Sequence, residues 1–314
     1  MRVFVYECVS AGGLGSDVPA SLRREGRAML DAAVEDFQQL PDAEVVMVTR
    51  VDQFHETAAR CDWTLVIAPE FDNLLRDLSQ IVLDVGGRLL GSLPDAIELT
   101  GDKLATARVW QRRGVAHPRT DTLNAVRFLP PWVVKPRHGA GSQATFLIRD
   151  AADWEHTLQA ARQEWPRGEL LWQLYIAGQA ASVALLIGPK QTIALLPARQ
   201  HLSSDGRFRY EGGSLPLPKP LADRAVRVAL EAVKGIEGLH GYVGVDMVLG
   251  ENDVDYAIEI NPRLTTSYIG LRQLCRQNLA ELMVHCIRGE KIEAPTWKAG
   301  KVQIRSEPER QRGS

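Results

Sequence analysis

Two acidic side chains and an asparagine recur at a regular spacing near the end of the chain. Apolar runs at 242–249 and 256–261, joined by a Gly-Glu-Asn-Asp turn, predict a β-hairpin. Because strand side chains alternate between faces, Glu259 and Asn261 should share one face, and Asp246 can lie opposite them. Two carboxylates among apolar neighbours repel each other unless a cation lies between them. The hairpin therefore predicts a site for Mg²⁺, or for Mn²⁺, which prefer hard oxygen ligands.

The same alternation predicts that Ile258 and Ile260 lie together on the apolar face of the hairpin. Arg263 follows shortly afterwards, and its planar guanidinium could donate two parallel hydrogen bonds to a phosphate. The alternative interpretation is a solvated polar face, with Arg263 in a surface salt bridge. The hairpin alone does not distinguish the two, so the other polar residues of the chain have to decide.

Two lysines upstream could supply positive charge to the same site. Lys135 ends an apolar strand at 132–135, and Lys103 lies at the start of a helix expected at 102–113. A glycine-bearing loop follows Lys135 and could place backbone N–H groups over phosphates. The residues of that loop are Gly139, Ala140, Gly141 and Ser142. Taken singly, each lysine could equally be an exposed surface residue.

An apolar strand expected at 170–176 could form one wall of an adenine slot. Its backbone groups around Leu174 and Ile176 would read the edge of the base, and Gly178 would let the chain turn. The expected nucleotide contacts are Gln173, Leu174, Tyr175 and Ile176. An ordinary core strand is the alternative.

The first hundred residues are predicted to form a small doubly wound domain. Apolar runs at 2–8, 45–48 and 63–67 alternate with helical patterns, which is typical of a parallel sheet covered by helices. The turn at Gly12 and Gly13 lacks the spacing of a phosphate-binding fingerprint, so we interpret these residues as turn glycines with a substrate contact left open.

The rest of the chain is expected to mix strands and helices. Further elements are predicted as strands at 144–148 and 183–187, helices at 151–164 and 222–236, and an irregular stretch at 203–220. The fold class is therefore α/β (α+β).

Bulk composition limits the partners. The 37 basic and 39 acidic residues give a net charge of -2, which offers no field for nucleic acid or an anionic membrane. Four scattered cysteines indicate neither a zinc site nor a disulfide framework. We expect a cytoplasmic protein with small-molecule partners, for which a homodimer is the default assembly.

The ordered set of lysines, glycine loop, hinge strand and acidic hairpin resembles the ATP-grasp superfamily over nearly the whole chain. The resemblance implies an N-terminal doubly wound parallel-sheet domain and two antiparallel-sheet subdomains that grip ATP. It implies that Lys103, Lys135 and Arg263 contact phosphates, and that the hairpin trio binds magnesium. Lys135 and Arg263 are then expected to be catalytic.

The resemblance also divides the chain. It implies an N-terminal domain at 1–97 and an ATP-grasp domain at 98–300, followed by a polar tail at 301–314. Within the second domain, 98–175 is expected to carry the lid and 176–300 the metal site.

Motifs at both ends are similar to the tyramine–glutamate ligases of methanofuran biosynthesis. They are FVYE and SAGG near the start and NPRLTTSY near the end. This similarity implies that an acyl phosphate of the glutamate γ-carboxyl is coupled to a primary amine such as tyramine, or to tyrosine. The substrate residues it implies are Glu7, Ser10, Gly12, Gly13, Arg199, Gln200, Tyr210, Gly212, Gly213, Thr265, Thr266 and Ser267.

The sequence departs from the superfamily at three positions. Gln173 and Ala180 stand where many members carry ribose-contacting glutamates, and Gly244 stands where D-alanine ligases carry an arginine for the tetrahedral intermediate. Arg263, Arg199 or Lys219 would have to replace that arginine. A ligase for other amino acids or dipeptides, a non-catalytic nucleotide-binding regulator and a kinase therefore stay open as alternatives.

Overall fold

A computed structural model describes residues 1–15, 18–125, 129–166, 168–251 and 253–305, and in these ranges the strands form three sheets. Position 252 of the predicted hairpin turn and positions 306–314 of the predicted tail lie outside the described residues. Within the described ranges, no helix combines the length and the apolar character needed to cross a membrane.

The N-terminal part is a three-stranded parallel sheet with strand order β2-β1-β3. Its elements are β1 (Arg2–Glu7), α1 (Ala20–Gln38), β2 (Glu44–Val46), α2 (Phe54–Arg60), β3 (Trp63–Ile67), α3 (Leu74–Asp84) and α4 (Pro94–Gly101). Val3 and Val5 pack toward α1, whereas Phe4 and Tyr6 pack toward α2 and α3. Both faces are covered, which explains why β1 is a nearly continuous apolar run. The doubly wound parallel sheet expected from the sequence is confirmed.

The middle part is a four-stranded antiparallel sheet with strand order β4-β7-β5-β6. Its elements are α5 (Lys103–Arg113), β4 (Thr120–Thr122), β5 (Trp132–Pro136), β6 (Phe146–Ile148), α6 (Trp154–Glu164) and β7 (Leu170–Leu174). Short 3₁₀ turns at Val51–Gln53, Phe71–Asn73, Leu123–Ala125 and Ala151–Asp153 complete the regular structure up to this point. Helix α6 covers one face of this sheet through Leu158 and Ala161.

The C-terminal part is a larger antiparallel sheet with strand order β13-β12-β8-β10-β11-β14, to which β9 adds on β8. Its elements are β8 (Gly178–Ile187), β9 (Thr192–Ala194), β10 (Ala198–Leu202), β11 (Tyr210–Leu215), α7 (Lys219–Val233), β12 (Gly241–Gly250), β13 (Asp255–Asn261), α8 (Ser267–Leu274), α9 (Leu279–Ile287) and β14 (Val302–Arg305). This sheet packs between α7 and the pair α8 and α9.

Two expectations about irregular structure are wrong. The glycine-rich stretch at 203–220 contains β11, and the first part of the expected tail is β14, which pairs with β11. The glycines allow this pairing rather than prevent it. Gly212 has φ +135°, and a Cβ atom there would lie 2.2 Å from the backbone oxygen of Ile304. The glycine content favours a loop from the sequence alone, but here it marks the close approach of two strands.

A bulge in the hairpin corrects the expected side-chain alternation. Asp246 pairs with Glu259, but the next residue, Met247, pairs with Ala257, so Ile258 is an extra residue in β13. As a result Ile258 does not share a face with Ile260. It lines the cleft described below together with Glu259, while Ile260 is 1% exposed in the core beneath α7.

Candidate active site

A cleft of about 740 Å³ opens between the four-stranded and the larger antiparallel sheets. Its far end is bounded by α1 and by the loops that follow β1 and β3. The cleft brings together the predicted nucleotide and metal residues, which are Lys103, Lys135, Gly139, Ala140, Gly141, Ser142, Gln173, Leu174, Tyr175, Ile176, Asp246, Glu259, Asn261 and Arg263.

The hairpin trio converges as the sequence predicts. Asp246 and Glu259 lie directly opposite each other in the register of β12 and β13. The Asn261 Nδ2 donates to Asp246 Oδ2 at 3.0 Å, and Gln200 Nε2 donates to Asp246 Oδ1 at 2.9 Å. Both oxygens of Asp246 are thus fixed by neutral amides. The resemblance implies a substrate contact for Gln200, and the structure places Gln200, on β10, against Asp246.

The two carboxylates experience different fields. Burial, followed by the charge of Glu259, raises the pKa of Asp246 to about 6. Burial acts on Glu259 in the same sense, but the ammonium groups of Lys103 and Lys135 outweigh it and lower the pKa of Glu259. A cation placed between the carboxylates would favour the ionised form of both.

The donor set fits a divalent cation of the magnesium type. Two carboxylates and an amide oxygen are hard ligands, and Glu259 keeps 24% of its side chain exposed toward the cleft. Among the residues that the structure describes, no group of three or more His, Cys, Asp or Glu side chains could hold a metal ion. This trio has only two such side chains, which leaves coordination positions for phosphate oxygens.

Lys103 lies beside the trio because of how α5 begins. The Asp102 carboxylate caps the helix by accepting from the backbone N–H groups of Leu104 and Ala105, both at 3.0 Å. The Lys103 Nζ then lies 3.0 Å from Glu259 Oε1 and donates to the Gly139 carbonyl at 2.7 Å. Lys103 therefore joins the acidic pair to the glycine loop.

Lys135 is a buried ammonium on β5. It is 7% exposed and donates to Gln173 Oε1 at 2.9 Å, and Gln173 Nε2 in turn donates to Thr120 Oγ1 at 2.8 Å. Burial lowers the pKa of Lys135 to about 8, although the charge of Glu259 opposes the shift. A buried lysine with a neutral partner favours the arrival of an anion such as a phosphate. Gln173 is thus a partner of the lysine in addition to lining the cleft.

The glycine loop meets a second loop over the cleft. Gly141 and Ser142 have φ values of +67° and +59°, and the Ser142 Oγ donates to the Phe208 carbonyl at 2.7 Å. The Tyr175 and Phe208 rings lie 6.1 Å apart. Together the two loops cover the phosphate end of the cleft.

The segment that follows β7, expected from the sequence to form an adenine slot, lines the cleft together with apolar side chains of β8, β12 and β13. Ala180 lines the cleft beside the segment that ends β7, with Ile258 and Val248 also contributing. No carboxylate stands at position 180, so this wall has no acidic contact there for a ribose.

Of the three cations proposed to replace the missing arginine, Lys219 lies outside the cleft and pairs with Asp223 at 2.8 Å. Arg199 and Arg263 both line the cleft. Gly244 itself has no space for a larger side chain, because a Cβ atom there would lie 2.7 Å from Thr265 Cγ2.

Arg263 forms an ion pair that the sequence analysis missed. Its Nε lies 2.9 Å from Glu70 Oε1, and its Nη2 donates to Glu70 Oε2 at 3.0 Å. Glu70 follows β3, at the carboxyl end of a parallel strand, which is where ligand-binding residues of such sheets occur. That position is the signal that could have revealed it.

The residues implied as substrate contacts divide into two groups. Those that line the cleft are Glu7, Arg199, Gln200, Tyr210, Thr265, Thr266 and Ser267, and those that do not are Ser10, Gly12, Gly13, Gly212 and Gly213. The glycines of the second group relieve close contacts or form turns. A Cβ at Gly13, for example, would lie 2.3 Å from Cys8 Sγ.

Two of the lining side chains are held by their own neighbours. The Glu7 carboxylate accepts from the backbone N–H groups of Val9 at 3.0 Å and Ser10 at 2.7 Å, so it stabilises the turn after β1. The Ser267 Oγ lies 2.8 Å from Thr265 Oγ1 and 2.9 Å from the Tyr242 hydroxyl. This hydroxyl cluster fixes the loop that follows Arg263.

Comparisons with known proteins agree with this geometry. Residues 100–267 match the family described as the ATP-grasp domain, and residues 28–97 match the pre ATP-grasp 3 domain. A tyramine–L-glutamate ligase of Methanocaldococcus fervens is 32% identical over 234 residues, which cover 74% of this chain and 68% of the relative. A ligase of the same name from Methanocaldococcus jannaschii is 28% identical over 268 residues, which cover 83% of this chain and 76% of the relative.

A crystal structure of an ATP-grasp superfamily protein from Archaeoglobus fulgidus is also similar. The superposition has a TM-score of 0.74 at 25% sequence identity, and it covers 97% of this chain and 92% of the crystallised chain. The parallel sheet, the two antiparallel sheets and the cleft between them are therefore those of a known architecture. The chain belongs to the ATP-grasp family and is an ATP-dependent ligase.

Proposed function

We propose that the protein joins the γ-carboxyl of glutamate to a primary amine, tyramine or tyrosine, as in methanofuran-type cofactor biosynthesis. The relatives named above support the choice of substrates. The observation that carries the proposal is the convergence of three cationic side chains and the hairpin trio, Asp246, Glu259 and Asn261, in one cleft. Such a cluster suits phosphoryl transfer, where catalysis depends mainly on positioning and charge neutralisation.

In the first step, an oxygen of the substrate carboxylate attacks the γ-phosphorus of ATP, an acyl phosphate forms and ADP leaves. Lys103, Lys135 and Arg263 offset the negative charge on the transferred group. Asp246, Glu259 and Asn261 would hold Mg²⁺, which neutralises triphosphate charge when bound. The phosphate gives the buried Lys135 ammonium an anionic partner, since the side chain to which it donates, Gln173, is neutral.

In the second step, the amine attacks the acyl carbonyl, loses a proton, and phosphate leaves. Arg263 stabilises the negative oxygen of the tetrahedral intermediate, and no protein nucleophile is required. Water would hydrolyse the acyl phosphate, so the glycine loop and the loop around Phe208 exclude it. Their contact through Ser142 supports this role.

The far end of the cleft suits the carbon skeleton of an arylalkylamine. Its lining includes Leu22 and Met29 from α1, Val9 just after β1, Ile67 at the end of β3, and the Tyr210 ring. These side chains offer an apolar surface next to the polar phosphate end. The amine can then face the acyl carbon while its ring packs on α1.

A coupled ADP-release assay tests the proposal. Glutamate is supplied with tyramine, tyrosine and other amines, and the product mass is measured. We expect ADP release that requires both substrates, and a γ-glutamyl amide as product. The variant Lys135→Ala should abolish measurable ATP binding. ATP binding without ADP release across the panel would refute this function.

Ligation of an amino acid to another amino acid is a second candidate. The cleft lining includes Arg199 and Glu25, whose opposite charges could hold the carboxylate and ammonium of an amino-acid acceptor. The mass of the product separates the two candidates. A stable phosphorylated product would instead indicate a kinase.

We also propose a cytoplasmic location. The cysteines Cys8, Cys61, Cys275 and Cys286 are free and buried, as in a protein kept under reducing conditions. Fractionation of the producing cells tests this placement.

A further inference from the structure

Arg263 is held in one plane by a residue from outside the ATP-grasp domain. Its Nη2 donates to Glu70 Oε2 at 3.0 Å, and its Nε lies 2.9 Å from Glu70 Oε1 as an ion-pair contact without the alignment of a hydrogen bond. A second N–H, on Nη1, donates to the Leu264 carbonyl at 3.1 Å. The side chains of Glu70 and Arg263 are 5% and 15% exposed, so the pair is shielded from water.

The geometry leaves one edge of the guanidinium available. An arginine carries five N–H donors, of which one on Nη2 donates to Glu70 and one on Nη1 donates to Leu264, while Nε lies against Glu70 Oε1 as an ion-pair contact. Among the described residues, the remaining donors, one on each Nη, have no partner, and Arg263 lines the cleft. Glu70 thus occupies one side of the fork and leaves the Nη edge for a ligand.

Stability alone does not account for the pair. A buried ion pair gains little net free energy over a well-packed apolar pair, because both charges lose their hydration. Among the described residues, the Glu70 carboxylate forms no helix cap and no ion pair other than the one with Arg263. The pair does fix the orientation of the buried Arg263 guanidinium.

An arginine that replaces the one missing at position 244 needs a second residue to fix its orientation. An arginine on β12 would be oriented by the strand itself, but Gly244 is closed to side chains by Thr265. Arg263 instead lies beyond the end of β13, where the backbone leaves the sheet. Its long side chain would be free to rotate there without a second anchor.

We infer that Glu70 is a positioning residue, which orients Arg263 so that its Nη edge faces the transferred phosphoryl group and the acyl oxygen. This inference rests on the role given to Arg263 in the proposed function. Glu70 lies in the N-terminal part, between β3 and α3. The N-terminal part therefore contributes to catalysis through Arg263, in addition to lining the substrate end.

The kinetic test compares Glu70→Gln, Glu70→Asp and wild type by ADP release with glutamate and tyramine. Misplacing Arg263 should lower kcat by about 100-fold in Glu70→Gln while KM for ATP changes by less than about threefold. Glu70→Asp keeps the charge on a shorter stem and should fall between the two. In an Arg263→Lys background, Glu70→Gln should add little, because the two residues act as one unit.

A matched control breaks another buried contact between the same parts of the chain. Asp36 on α1 accepts from the Tyr268 hydroxyl at 2.6 Å and pairs with Arg272 at 2.7 Å, away from the cleft. The variant Asp36→Asn should lower the melting temperature and leave kcat within about twofold. Equal losses of kcat in Asp36→Asn and Glu70→Gln would show that domain packing is responsible, and would overturn the inference.

A binding measurement separates this inference from the choice of substrates. ADP, Mg²⁺ and aluminium fluoride form a mimic of the transferred phosphoryl group, and its affinity is compared with that of Mg²⁺ and ADP alone. Glu70→Gln should weaken the mimic by at least about tenfold and ADP by less than about threefold. If wild type fails to use glutamate and tyramine, the substrate proposal falls, but this measurement still tests Glu70. Unchanged affinity for the mimic in Glu70→Gln, or full activity of Glu70→Gln, would overturn the positioning role.

Discussion

Removing the charge of Glu259 should separate metal binding from nucleotide binding. Asp246 and Glu259 line the cleft with Lys103, Lys135 and Arg263, and Glu70 pairs with Arg263 from outside the lining, so the formal charges of these six groups cancel when all are ionised. The variant Glu259→Gln leaves a net positive charge and frees Lys103 from its contact at 3.0 Å. A divalent cation should then bind less well, whereas the free triphosphate should bind at least as tightly as before.

The size of the effect follows from the charges. Two unit charges about 4 Å apart attract by roughly 4 kcal/mol at an effective dielectric of about 20, and a divalent ion doubles that value before the cost of desolvation. We therefore expect the affinity for Mn²⁺ to fall at least about 100-fold, equivalent to about 2.8 kcal/mol. Calorimetry with ATP, with and without metal, and Mn²⁺ electron paramagnetic resonance measure the two affinities.

A surface carboxylate provides the control. Glu290 keeps 45% of its side chain exposed beside His285 and does not line the cleft. The variant Glu290→Gln should therefore change neither the affinity for Mn²⁺ nor the affinity for ATP. If Mn²⁺ affinity in Glu259→Gln stayed within about threefold of wild type, Glu259 would not be a ligand. If metal-free ATP binding weakened as much as Mn²⁺ binding, the variant would have damaged the cleft itself.

Three further predictions concern other parts of the molecule. Because the pKa of Lys135 is lowered to about 8 and bound phosphate would raise it, ATP affinity should fall by up to about tenfold per pH unit above that value, and Lys135→Arg should remove this dependence in titration calorimetry. Gly212→Ala should lower the free energy of unfolding by about 1–3 kcal/mol in urea titrations, because position 212 has φ +135° and faces Ile304. Asp36→Asn should cost about 3 kcal/mol in the same titrations, because it leaves Arg272 with a weakened partner.

The sequence was informative where chemistry follows local periodicity. The hairpin placed Asp246, Glu259 and Asn261 together because opposite and alternate strand positions fix side-chain direction. Lys103 and Lys135 could be assigned to one site only through the resemblance, since their convergence depends on how α5 packs against β5. The structure supplies that link through the Asp102 cap, which also accepts from Arg137 Nε at 2.9 Å.

Contacts between distant segments could not be predicted. Glu70 and Arg263 are 193 positions apart, and nothing in either local pattern indicates the other. Gln200 reaches Asp246 only because β10 and β12 flank β8 on opposite sides. The bulge at Ile258 inserts one residue into an otherwise regular alternation, and a single sequence gives no sign of it. In each case the feature depends on how distant segments pack, which the local sequence pattern does not contain.

The strand β14 has a consequence for handling the protein. It covers the outer side of β11, whose central residues Gly212 and Gly213 have no side chains to shield their backbone. Trimming the chain before Val302 would leave that backbone as an open edge, to which an extended segment of a second molecule could add. Protein truncated before Val302 is expected to self-associate, so β14 protects the protein against aggregation.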